Sequence, residues 1–164
     1  GEKVEEVLVE KLVELDGRFT APDNKREMQD VSFNDDLINI KFGFDKKGQP
    51  NMVAFNRLST RYLKGEIDSY YIISIDGKTN NVTLFDLYQQ LPYTNYNVGT
   101  GQVMLKEKQF FSQFDQKKDY SISKYTIINT MRQMKLQSHK DHVKLKEEQL
   151  KKSLELFDKT LSQY

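Results

Sequence analysis

Gln29-Asp30-Val31-Ser32-Phe33-Asn34-Asp35-Asp36-Leu37-Ile38-Asn39-Ile40-Lys41-Phe42 is the stretch on which the fold turns. Its first five residues are β-prone, Asn34-Asp35-Asp36 is a turn cluster, and Leu37 to Phe42 alternates with the period of a strand. Together they predict a β-hairpin. Because side chains alternate across a strand, Leu37, Asn39 and Lys41 share one face, while Ile38, Ile40 and Phe42 share the other, with Ile40 pointing into a core.

Toward the N-terminus, Val4, Val7, Leu8, Leu12 and Leu15 recur at helical spacing among Glu and Lys over 2–16, with Gly17 where a C-terminal cap belongs. Beyond the hairpin, 43–51 reads as a loop with two glycines and Pro50. A helix carrying Met52, Phe55, Leu58 and Tyr62 is expected over 52–64, ending near Gly65. Tyr70 to Ile75 is a nearly continuous apolar run of the kind buried on both faces, and Val82 to Phe85 is its neighbour across the turn Asp76-Gly77-Lys78. After a looser stretch around Pro92 and Gly99, one helix is expected over 120–137, with Tyr125, Ile128, Met131 and Met134. Another is expected over 139–162, where Val143, Leu150, Leu154, Phe157 and Leu161 form a heptad-like seam. The sum is an α/β class: a mixed central β-sheet flanked by helices, followed by two C-terminal helices. It forms a single domain over 1–164, with a core over about 2–90 and a loop and helical part over about 91–164.

Hydrophobic residues are 37% and charged residues 30%, polar for a globular chain, but 10 Phe and 9 Tyr argue against disorder. There is no Cys, which excludes disulfides, thiolate metal sites and a cysteine nucleophile; a reducing, cytoplasmic setting is the default expectation. No apolar run approaches a membrane span, and the first residues are charged and helical rather than signal-like, so no membrane partner is expected. A net charge of +1 leaves nucleic-acid binding open, since a balanced sum can hide a local basic groove.

The order helix, hairpin, helix, strand, with Asp30 on the first hairpin strand and Asn39-Ile40-Lys41 on the second, resembles the αβββαβ core of the PD-(D/E)XK nuclease superfamily. The family's motif is an acid near the start of one strand, then an acid, any residue and Lys on the next. Asp30 matches the first position and Lys41 the lysine, while Asn39 stands where the second acid belongs. Many members carry a further Glu on the first helix about three turns before a Gly; Glu6, eleven residues before Gly17, has that relation, and Glu10 is its rival. The match covers roughly residues 4–85 and is most similar to a Type II restriction endonuclease. It implies a Mg²⁺-dependent endonuclease acting on double-stranded DNA in a restriction system, with Mn²⁺ as a substitute. The implied catalytic residues are Asp30, Asn39, Lys41 and Glu6, with Asp30, Asn39 and Glu6 as metal ligands.

The chemistry has its own logic. Phosphodiester hydrolysis calls for a hard cation that holds the phosphate and lowers the pKa of the attacking water, and Mg²⁺ takes oxygen ligands while keeping several waters. A Lys two residues after a ligand lies on the same face of its strand, where it can meet water or phosphate. Asn39 can offer a carbonyl oxygen but no charge. It is a native variant with Glu6 or Glu10 supplying the charge, a deliberate inactivation, or a sign that the register is wrong, and the sequence leaves all three open. The plain alternative for the whole set is the polar face of a surface hairpin and solvated glutamates on an amphipathic helix.

Gly48-Gln49-Pro50-Asn51 leads toward Asn56, Arg57 and Arg61, residue types suited to phosphates and base edges; the bland reading is a turn and an ordinary exposed helix face. Asn95 to Gln102 lacks the Lys-Ser/Thr of a P-loop and the spacing of a dinucleotide fingerprint, so no nucleotide cofactor is expected. A flexible loop touching DNA with Lys106 and Lys108 is the reading. His139 and His142 lack a third ligand and read as a solvated helix start capped by Ser138. The seam over 143–161 packs either on the 120–137 helix or on a twin chain, and a two-fold dimer would suit a palindromic target. Two rivals from other classes stand beside the nuclease. One is a catalytically inactive DNA-binding or protein-interaction module on the same fold; the other is a helical interaction protein for which the sheet is only a platform.

Overall fold

A computed structural model describes residues 2–42, 51–106, 114–115 and 117–164. Gly48, Gln49, Pro50 and Lys108, singled out above, lie outside the described residues.

The chain runs α1 (Glu2–Leu15), β1 (Phe19–Thr20), β2 (Val31–Phe33), β3 (Asp36–Phe42), β4 (Asn51–Ala54), α2 (Phe55–Leu63), β5 (Tyr71–Ile75) and β6 (Val82–Asp86). A 3₁₀ segment, Tyr88–Tyr93, then leads into β7 (Thr94–Asn97), β8 (Gln102–Leu105) and α3 (Lys124–Leu161). The expected α/β class and mixed sheet are observed: five strands in the order β1-β2-β3-β5-β6, antiparallel except for the parallel pair β3 and β5. A parallel pair needs a long crossover, and here β4 and α2 supply its described part. The hairpin has the expected form, with Val31 opposite Ile38 and Phe33 opposite Asp36, and Asn34 takes a left-handed φ of 51° at the turn.

Two apolar layers hold the sheet. On one face Val31, Ile38 and Ile40 are buried under Leu8, Val9 and Leu12 of α1, as the alternation of Ile38 and Ile40 predicts. On the other, Leu37 and Ile72 join Phe55, Leu58 and Tyr62 of α2, the 3₁₀ segment, and Ile127 and Met131 of α3. Within this second layer Tyr88 fastens the 3₁₀ segment to α2, its hydroxyl donating to the Leu58 carbonyl at 2.7 Å and its ring 4.5 Å from that of Tyr62. Gly65, at φ 70°, sits just beyond the end of α2, where a left-handed residue closes a helix without steric cost.

Four expectations need correction. Met52 lies in β4 and α2 begins only at Phe55, because β4 pairs with β8 in a second sheet, β4-β8-β7, which the periodicity did not reveal. The stretch Asn95 to Gln102 is a β-hairpin rather than a flexible loop, its turn closed by the Gly101 amide donating to the Asn97 carbonyl at 2.7 Å. The two C-terminal helices are one helix of 38 residues. Ser138 therefore caps nothing: it is buried mid-helix with its hydroxyl on the Lys135 carbonyl, and the N-cap is Ser123, which accepts from the Thr126 amide. Finally, Gly17 has no left-handed φ; beyond α1 the Asp16 carboxylate instead takes the Arg18 amide and guanidinium.

A candidate acidic cleft and the buried amide beside it

Asp30 immediately precedes β2, at the point where the ladder with β3 runs out. Its amide donates to the Ile38 carbonyl at 2.9 Å, and its carboxylate Oδ2 accepts from the Ile40 amide at 2.7 Å. The side chain thus takes the place of a strand carbonyl and satisfies a backbone N–H. The same residue lines a cleft of about 460 Å³ together with Glu5, Glu6, Val9 and Glu10 of α1 and Asn24, Lys25, Glu27 and Gln29 of the following loop. Glu6 and Glu10 project from one helix face because they are four residues apart. Glu6 is exposed, 3.7 Å from the Lys25 ammonium, a pair too solvated to contribute much stability.

Asn39 is elsewhere. It is 6% exposed, and its amide nitrogen donates to the Tyr70 hydroxyl at 3.1 Å and to the Met52 and Met28 carbonyls at 3.4 and 3.5 Å. Tyr70, fully buried, donates in turn to the Met28 carbonyl. The Asn39 Oδ1 has no hydrogen-bond partner among the described residues. Asn39 is held here as a donor, toward two backbone carbonyls and the Tyr70 hydroxyl, and a carboxylate has no hydrogen to offer those carbonyls. Lys41, two residues on, shares that face, stands opposite the buried Ser74 of β5 and is half-buried.

The structure thus brings Asp30, Glu6 and Glu10 to one cleft beside α1 and leaves Asn39 and Lys41 on the other side of β3. Among the described residues, no three acidic or histidine side chains converge closely enough to cage a metal ion.

Burial sets the titration of the surrounding groups. It pushes the Tyr70 hydroxyl well above the usual tyrosine range; the Asn39 amide and the charges of Arg57 and Arg61 oppose this, and Asp30 reinforces it. Asp86, at the end of β6, is pushed up to about 6 by burial, against the Tyr70 and Tyr88 amides that donate to it.

The other predicted contacts are engaged within the fold. Asn51 accepts from the Asn97 amide at 3.0 Å and Asn56 from the Lys135 ammonium at 2.8 Å; Arg57 donates to the Arg26 carbonyl at 2.8 Å, and Arg61 pairs with Glu66 at 3.2 Å. Lys106 is half-buried at the end of β8, with its amide on the Tyr93 carbonyl. His142 is no part of a helix start: its Nε2 lies 2.8 Å from the Tyr96 hydroxyl. Tyr70 was missed as a site-shaping residue; its only signal was a tyrosine in an apolar strand, whose hydroxyl must find a partner once buried.

No protein-family model matches the sequence, and no curated protein matches it. No helix among the described residues is long and apolar enough to cross a membrane.

Proposed function

We propose that this chain is a metal-dependent endonuclease of the PD-(D/E)XK kind, hydrolysing phosphodiester bonds of double-stranded DNA with Mg²⁺ or Mn²⁺, and most similar to a Type II restriction enzyme. The observation that carries the reading is Asp30. An acid fixed at the β2–β3 junction opens onto a cleft shared with Glu6 and Glu10 of α1, within elements that run in αβββαβ order once β4 is set aside. The donors are all oxygens, and Mg²⁺ asks for only one or two carboxylates beside its waters, so Asp30 with Glu6 or Glu10 fits such an ion in kind. Bound there, it would supply Lewis acidity and a more acidic water.

The chain's own residues divide the remaining work. Asp30 Oδ2 is held by the Ile40 amide, which leaves Oδ1 for a ligand. Lys41, with no ion pair to any described residue, projects from the face of β3 away from the cleft and is left to meet the phosphate backbone rather than the water at Asp30. Arg57 and Arg61 of α2 would meet a phosphate backbone by exchanging the Arg26 carbonyl and the Glu66 carboxylate for it. Asn39, through the Met28 carbonyl, holds the chain two residues before Asp30. The reading goes with a cytoplasmic setting.

A second reading has two observations in its favour: with Asn39 held as a donor and no acid triad among the described residues, the same fold serves as an inactive DNA-binding or protein-interaction module.

Plasmid cleavage in Mg²⁺ or Mn²⁺ separates the two, with the parent run beside Asp30→Asn and Lys41→Ala. An amide at 30 still accepts from the Ile40 N–H, so the fold should hold while cutting drops about a hundredfold or more. A parent that cuts no DNA, and whose thermal stability ignores millimolar Mn²⁺, would sink the enzyme reading in favour of the module.

A further inference from the structure

The C-terminal half of α3 leaves the body. The last hydrogen bond from a described residue of the body is that of Tyr96 with His142; beyond, Val143, Leu150, Leu154, Phe157 and Leu161 are 44%, 59%, 51%, 66% and 68% exposed. With Glu147 they fall at alternating steps of four and three residues, the seam of a two-stranded coil, along about 27 Å of helix at 1.5 Å per residue. The expected packing on a preceding helix cannot occur, because that segment is the same continuous helix.

We propose that this seam binds the same seam of a second copy, antiparallel, about a two-fold axis near Lys152. The flanking charges argue for both the partner and its direction. In a parallel pair Glu147 would face its own copy in the apolar layer, and Lys146 would meet Lys151 of the other chain, twice. Reversing one strand removes both conflicts: Leu150 meets Leu154, Val143 meets Leu161, and Glu147 lies against Phe157. Lys144 falls beside Asp158 at both ends, leaving Lys151 against its own copy as the one like-charge approach. The residues before the axis carry five Lys against three acids over 140–152, whereas those after it carry two acids against one Lys over 153–164, so head-to-tail overlap is complementary. Such a contact is isologous and closes at two chains. It does not rest on the nuclease reading.

Sedimentation of the full chain at micromolar concentration should give twice the 19.3 kDa monomer mass. Leu150→Glu with Leu154→Glu should return the monomer mass without moving the body's thermal transition, since neither side chain touches it. The chain has no cysteine, so single substitutions read the direction. Ser153→Cys, next to the axis, should crosslink to its copy on oxidation, whereas Val143→Cys, about 27 Å from its copy, should not. A monomeric parent, an assembly larger than two, a mass unchanged by the double substitution, or crosslinking at 143 in place of 153 would each overturn the proposal.

Discussion

The two faces of β3 are made by alternate residues of one strand, yet they are held by different physics. Toward α1, Ile38 and Ile40 are buried with Val31 under Leu8, Val9 and Leu12, a contact that asks only for apolar volume. On the opposite face Asn39 sits among the Met28 carbonyl, the Met52 carbonyl and the Tyr70 hydroxyl, and every partner demands a donor or a defined geometry. The apolar face sets the register, because a one-residue slip would thrust Asn39 under α1. The amide face sets residue identity. A strand of seven residues thus carries both a tolerant side and an exacting one.

Substitutions can break that contrast. The largest effect is expected from Asn39→Asp, which removes a donor and sets a buried charge against two carbonyls. Chemical denaturation at neutral pH should show a loss of about 4 kcal/mol, as for other uncompensated buried charges. A loss below about 1 kcal/mol would mean that the position does read as an acid site after all. Next comes Tyr70→Phe, which keeps the ring but takes the nearest acceptor from the Asn39 amide and the nearest donor from the Met28 carbonyl, leaving them their longer contact with each other; the same assay should lose about 2 kcal/mol. The smallest is Ile40→Val on the tolerant face, expected at about 1 kcal/mol for one methylene. If Ile40→Val costs more than Tyr70→Phe, the division of labour between the faces is wrong.

Much of this was legible in the sequence, where spacing and burial coincide. The apolar positions of α1, the hairpin and the strands at 71–75 and 82–86 repeat strongly enough to announce themselves. β4, β7 and β8 are four residues each, so they carry too few periods to be seen, and their pairing is settled only by tertiary contact. Ser138 misled because a serine caps helices well but also tolerates a helix interior when its hydroxyl turns back to a carbonyl, here that of Lys135. The candidate site was legible as residue types and strand faces. Which face α1 covers, and hence which acids meet in a cleft, depends on packing between elements distant in sequence.

Asp30 makes the sheet and the cleft share one carboxylate. A ligand drawn to Oδ1 leaves the Ile40 N–H satisfied, while one that claims Oδ2 leaves a half-buried backbone donor orphaned, at roughly 1–3 kcal/mol. For a ligand that claims Oδ2, occupancy of the cleft and integrity of the last rung between β2 and β3 are therefore linked quantities, and by reciprocity whatever tightens that rung weakens the cleft's hold on such a ligand.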